Sequence, residues 1–293
     1  MFKGSIPALV TPMRPDGTLD LEAWDRLVDF HLAEGSDALV VGGTTGESPA
    51  LAREELETLI ATARRRVAGR IPVIAGSGTA GTAKSVALSR AAESAGADAL
   101  LVVTPYYNRP TQEGLFRHYT AIADAVGIPV VLYNVPGRTA CDLLPGTVAR
   151  LSAHPRIVGI KEATGSVERC NEILATARSG FVVLSGDDAT AIRLVRAGAR
   201  GVISVTANVA PRAMHQACAA ALAGDFDAAG RIDAMLAPLH DRLFVEPNPI
   251  PVKWLAHRMG LMGETLRLPL VPLAAERRAE VEAAAVAAGI RLR

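Results

Sequence analysis

Short apolar runs alternate along this chain with longer amphipathic, alanine-rich stretches, and that alternation predicts βα units around a parallel sheet. The apolar runs are Ile6 to Thr11, Ala38 to Val41, Pro72 to Ala75, Ala99 to Val103, Val130 to Tyr133, Ile157 to Lys161, Val182 to Leu184 and Val202 to Val205. Between them, helical periodicity with flanking Gly or Pro predicts helices at about 20–35, 52–67, 80–95, 112–126, 144–153, 167–178 and 188–198, with an eighth near 211–223. Eight such units favour a closed (β/α)8 TIM barrel over an open doubly wound sheet. The first strand is not followed by GxGxxG, and Gly76-Ser77-Gly78 lacks both the full spacing and the later acidic residue of a dinucleotide fingerprint.

The pattern divides the chain into a barrel over 1–224 and a helical C-terminal region over 225–293, with helical stretches around 228–241, 250–260 and 274–288. With no low-complexity linker between them, these helices are expected to pack against the barrel as an appendage.

In a barrel of this kind the site lies at the C-terminal mouth, formed by the strand ends and the loops that follow. Lys161 closes the apolar run Ile157-Val158-Gly159-Ile160, where an ammonium needs a reason. A desolvated lysine favours the neutral amine, which can attack a carbonyl and form a Schiff base. The alternative is a lysine that snorkels out of the sheet or pairs with Glu162. Strand two runs into Gly42-Gly43-Thr44-Thr45-Gly46-Glu47-Ser48, which suits either a carboxylate nest or a tight turn with a helix cap.

Strand four ends in Thr104-Pro105-Tyr106-Tyr107-Asn108, an unexpected tyrosine pair in a chain with only four tyrosines; the pair suits proton transfer or packing at a subunit contact. Strand five ends in Tyr133-Asn134-Val135-Pro136-Gly137-Arg138-Thr139, where Arg138 offers a rigid fork to a carboxylate or forms a surface salt bridge. Asp187 and Asp188, in Ser185-Gly186-Asp187-Asp188, are expected to cap the following helix rather than bind a metal, since the six histidines fall in or near helices. In Glu246-Pro247-Asn248-Pro249-Ile250-Pro251, three prolines stiffen a segment that can present Asn248 to the mouth.

Composition narrows the function classes. With 31 basic and 30 acidic residues among 293, the formal charge is +1 and no block of one sign suggests nucleic acid. The N-terminal residues lack the features of a signal peptide, and no run approaches a membrane span. Three scattered cysteines, Cys141, Cys170 and Cys218, argue against a disulfide framework or a zinc site, so a reducing cytoplasm is expected.

Together with Gly4-Ser5-Ile6, Val10-Thr11-Pro12-Met13, Gly159-Ile160-Lys161-Glu162-Ala163-Thr164-Gly165 and Val202 to Val209, these segments resemble the dihydrodipicolinate synthase family nearly end to end. This family belongs to the pyruvate-dependent class I aldolase and N-acetylneuraminate lyase superfamily. The resemblance implies that Lys161 forms a Schiff base with pyruvate, without a cofactor, and that the derived enamine attacks L-aspartate 4-semialdehyde. It implies proton transfer by Tyr133, with Thr44 and Tyr107 completing a hydroxyl relay and Tyr107 crossing a subunit interface. Thr45 would hold the pyruvate carboxylate and Arg138 the semialdehyde carboxylate, with Gly186, Ile203 and Asn248 also at the substrate site.

A homotetramer, built as a dimer of dimers, is inherited from the same likeness. Arg138 and Tyr107 favour this chemistry over the sugar-acid aldolases and lyases of the superfamily, and the filled reactive positions favour an enzyme over an idle binding paralogue. Lysine-inhibited relatives use an interface pocket lined by histidine, asparagine and glutamate. Here the corresponding positions read Pro49, Arg53, Leu56, Ala80 and Lys84, from which weak or absent feedback inhibition is expected.

Overall fold

The computed structural model describes residues 2–293. Its eight strands are β1 (Gly4–Pro7), β2 (Leu39–Val41), β3 (Val73–Gly76), β4 (Ala99–Val103), β5 (Val130–Asn134), β6 (Ile157–Glu162), β7 (Val182–Ser185) and β8 (Gly201–Ser204). They lie in the order β1-β8-β7-β6-β5-β4-β3-β2, with every pair parallel. A parallel bridge between Ala8 and Val40 joins the two ends, and the sheet becomes the expected barrel.

Side chains alternate across each strand, so pairing register decides which residues enter the barrel. Tyr133 pairs with Lys161, and Lys161 with Leu184. Tyr133 and Leu184 belong to the inner apolar cluster with Ile6, Ile74, Leu101 and Ile203. Leu132 and Ile160, one position away, join the larger cluster between strands and helices. The same alternation turns Lys161 inward and Glu162 outward.

The helices are α1 (Leu21–Ala33), α2 (Arg53–Val67), α3 (Thr82–Ser94), α4 (Gln112–Asp124), the single turn α5 (Pro136–Thr139), α6 (Pro145–Ser152), α7 (Val167–Thr176), α8 (Ala191–Arg196), α9 (Pro211–Leu222), α10 (Phe226–Arg242), α11 (Ile250–Arg258) and α12 (Ala275–Ala287). Several begin where a side chain can satisfy a free N–H at the helix start: Asp20, Thr111, Ser166 and Asp225 each accept from the residue three positions on. Leu236, Leu239, Leu243, Trp254 and Leu255 share the main apolar cluster with the barrel, so the C-terminal helices pack onto it as expected.

Three local expectations need correction. The first strand ends at Pro7 rather than Thr11, because the Leu9 N–H passes to Val40 O and the Val10 N–H is taken by the Asn208 side chain. The helix expected at 188–198 is a 3-10 turn over Asp188–Thr190 followed by α8. Neither aspartate caps it. Asp187 accepts from the Thr190 hydroxyl at 2.6 Å, while Asp188 accepts the N–H groups of Val205 and Thr206 at 2.9 and 3.0 Å, which fastens the loop after β8.

Candidate active site

Lys161 is 5% exposed at the inner face of β6, with Nζ 4.3 Å from the centroid of the Tyr133 ring. The pairing with Glu162 is not formed. That carboxylate accepts instead from Asn134 Nδ2 at 3.1 Å and from the Thr164 N–H at 2.8 Å. Gly186 makes room for the lysine: a Cβ there would stand 2.9 Å from Lys161 Cε and 2.6 Å from Ala163 Cβ. An amine beside a phenol ring, inside an apolar barrel and without a carboxylate partner among the described residues, is arranged for nucleophilic attack on a carbonyl.

A cavity of about 800 Å³ opens at the mouth, and its wall includes Gly43, Thr44, Tyr133, Val135, Arg138 and Thr139. Glycines line part of it because neighbouring strands approach closely; a Cβ on Gly76 would lie 2.1 Å from the Gly42 carbonyl oxygen. Thr45, beside Thr44, is buried, and its Oγ1 accepts from Asn248 Nδ2 at 3.0 Å. The proline-stiffened segment therefore brings Asn248 to the nest of strand two, as its composition predicts. Ile203 sits in the inner cluster, 1% exposed.

Arg138 lies on α5, exposed at the cavity wall and without a carboxylate partner among the described residues. The surface salt bridge is thus not what occupies its fork. Its loop is braced from below: Asn134 Nδ2 donates to Asp142 at 2.8 Å as well as to Glu162, Asn134 Oδ1 accepts from the Leu143 N–H at 2.9 Å, and Arg169 grips Asp142 with two bonds at 3.0 and 2.9 Å. Burial raises the Asp142 carboxyl, but Arg169 and Asn134 outweigh it and hold the group below the usual carboxylate range. Thr139 adds bonds to Thr104, Val135 and Cys141. Sequence reading assigned no role to Asp142 or Arg169, which stand on different elements; only the place of Asn134 beside Tyr133 signalled the brace.

Tyr107 stands apart. It is 93% exposed with φ +73°, a left-handed conformation that costs a bulky residue about 1–3 kcal/mol. It does not line the cavity, so a single chain brings together Lys161, Tyr133 and Thr44 but does not complete the expected relay. Among the described residues no three His, Cys, Asp or Glu side chains converge to hold a metal, and no helix is long and apolar enough to cross a membrane.

A model of the dihydrodipicolinate synthetase family matches residues 1–288. A protein of Methylococcus capsulatus named 4-hydroxy-tetrahydrodipicolinate synthase is 57% identical over 290 residues, covering 99% of this chain and 100% of its own. One of the same name from Pseudomonas syringae pv. syringae is 59% identical over 270 residues, 92% of each chain. Among solved structures, the chloride-inhibited dihydrodipicolinate synthase of Acinetobacter baumannii complexed with pyruvate superposes with a TM-score of 0.98 at 49% identity, covering 99% of this chain and 100% of that one.

Proposed function

The chain belongs to the dihydrodipicolinate synthetase family, and on that footing we propose that it condenses pyruvate with L-aspartate 4-semialdehyde to give 4-hydroxy-tetrahydrodipicolinate, through a Schiff base on Lys161. The observation that carries this reading is the inward-facing, unpaired Lys161 against the Tyr133 ring.

The Lys161 amine adds to the keto carbon of pyruvate and expels water, forming an imine. Loss of a methyl proton gives the enamine, whose carbon attacks the aldehyde carbon of the second substrate. The resulting alkoxide takes up a proton. The amino group of the semialdehyde then attacks the imine carbon, closes the ring and releases the Lys161 amine. Dividing the condensation in this way replaces one difficult step by easier ones and requires no cofactor.

Tyr133, beside the amine, moves the protons, and Thr44 on the same wall extends the path. Thr45 and its neighbouring N–H groups take the pyruvate carboxylate. Arg138 offers its vacant fork to the carboxylate of the semialdehyde. The exposed, left-handed Tyr107 is explained if it reaches into the site of a second copy, so the working unit is at least a dimer, and the reading from sequence makes it a dimer of dimers. The buried free cysteines suit the cytoplasm expected from sequence.

Borohydride reduction in the presence of pyruvate, followed by peptide mass mapping, tests the central step. An adduct on Lys161 is expected; an adduct on another lysine, or none, overturns the proposal.

A further inference from the structure

Three side chains of the C-terminal region end on the strand-two loop. Asn248 donates to Thr45 Oγ1, as described. Lys253, on α11, donates to Glu47 Oε1 at 2.5 Å, with side chains 0% and 1% exposed. Arg267 gives its backbone N–H to Glu47 Oε2 at 3.0 Å, while its guanidinium bonds the carbonyls of Gly17 and Ala50 and the carboxylate of Glu55. Glu47 directly follows Thr44-Thr45-Gly46 and has φ +59°, a conformation that a residue bearing a Cβ keeps only when its surroundings impose it.

Adhesion alone does not account for the ion pair. Trp254, Leu255 and Ala256, which follow Lys253 on α11, already bury apolar surface in the main cluster, and taking two charges out of water is costly compared with more such packing. The burial is severe enough to press the Lys253 ammonium down, against the pull of Glu47. What a paired charge supplies in exchange is direction: both oxygens of Glu47 are claimed by fixed donors, so the carboxylate, and the left-handed turn that carries it, has one orientation.

From this geometry we infer that Lys253 is a positioning residue for keto-acid binding, setting through Glu47 the orientation of the Thr44–Thr45 nest. The inference rests on the reading of that nest as the pyruvate carboxylate site. It also gives the C-terminal region a part in the chemistry, because the loop that binds the first substrate is oriented from outside the barrel.

The test separates KM from kcat. In Lys253→Met the partner carboxylate loses its cation; KM for pyruvate should rise about 10-fold or more, with a smaller fall in kcat because Thr44 also lies on the proton path, while KM for the semialdehyde stays within about threefold. Glu47→Gln keeps the side-chain shape but sets an amide N–H against one of the two donors. It should raise the same KM severalfold and serves if the methionine variant does not fold. Melting temperatures are followed in parallel. If both soluble variants lose thermal stability with an unchanged pyruvate KM, the pair is structural glue and the inference fails. A Thr45→Val control keeps the underlying reading separate: no effect of that substitution on pyruvate KM would remove the nest itself, whereas an effect there with none at Lys253 removes only the inference.

Discussion

Gly186 and Lys161 are a complementary pair: the lysine Cε occupies the space where any side chain at position 186 would begin, 2.9 Å from the hypothetical Cβ. The path of the proposed nucleophile thus depends on a missing methyl group just beyond the end of β7.

Gly186→Ala should therefore cut kcat/KM by about 5- to 150-fold, corresponding to the 1–3 kcal/mol typical of overpacking. Borohydride trapping at Lys161 should slow in step. Because the new Cβ would also meet Ala163 at 2.6 Å, the double variant Gly186→Ala, Ala163→Gly relieves that contact alone. Recovery to the parental rate in the double variant would show that crowding of Lys161 is not the cause.

Tyr133→Phe keeps the ring beside the amine and removes its hydroxyl. Turnover should fall by about 10²–10⁴-fold, the usual worth of a positioned proton carrier, with pyruvate KM changed only a few-fold. Steady-state kinetics decides. A variant within threefold of the parent would take Tyr133 out of the proton path.

Arg138→Ala should lower kcat/KM for the semialdehyde by about 10- to 150-fold, the equivalent of 1.5–3 kcal/mol for hydrogen bonds to a charged group. Trapping of pyruvate on Lys161 should be unaffected. Equal losses for both substrates would mean that the arginine shapes the mouth rather than selecting the acceptor.

Two buried histidines make stability depend on pH. Burial pushes the His31 imidazole down to about 3 and that of His118 to about 4, against an ordinary value of 6.5. Between those limits the unfolded chain binds protons that the native protein refuses, so the share of stability that these two residues control is fully present above pH 6.5 and declines as pH falls. The slope is about 1.4 kcal/mol per pH unit for each histidine, ending near pH 4 for His118 and near pH 3 for His31. Urea unfolding at pH 7.5, 6 and 5 should show it, and His31→Gln should remove one share; an unaltered slope in that variant would assign the effect elsewhere.

Free lysine should inhibit weakly or not at all. The outer end of the cavity carries Pro49, Leu56, Ala80 and Lys84, while Arg53 is turned toward Glu57. An ammonium entering there meets apolar surface and a like charge. Half-inhibition at submillimolar lysine would refute this.

The barrel and the placement of much of the candidate site were legible because both follow from short-range rules. Strand period two puts Lys161 and Tyr133 on one face, and the mouth is where strand ends must fall. Arg138 and Asn248 announced themselves by loop chemistry. The Asp188 clamp on Val205 and Thr206, the Asp142–Arg169 brace and the Lys253–Glu47 pair did not. Each joins side chains from separate elements, and alternation or capping patterns carry no record of which distant partner a charge will meet. Tyr107 was singled out correctly as unusual, yet its exposure shows why one chain's sequence could not decide between its two readings.

Asn134 holds with a single amide nitrogen both the carboxylate next to Lys161 and the one four residues beyond Arg138. The proposed covalent centre and the proposed selector of the aldehyde are consequently one mechanical piece. A lineage drifting toward a different electrophile could not reshape that loop freely, since any pull on it would tug the reacting amine; new acceptors are more accessible through side-chain exchange on a fixed backbone than through insertion or deletion.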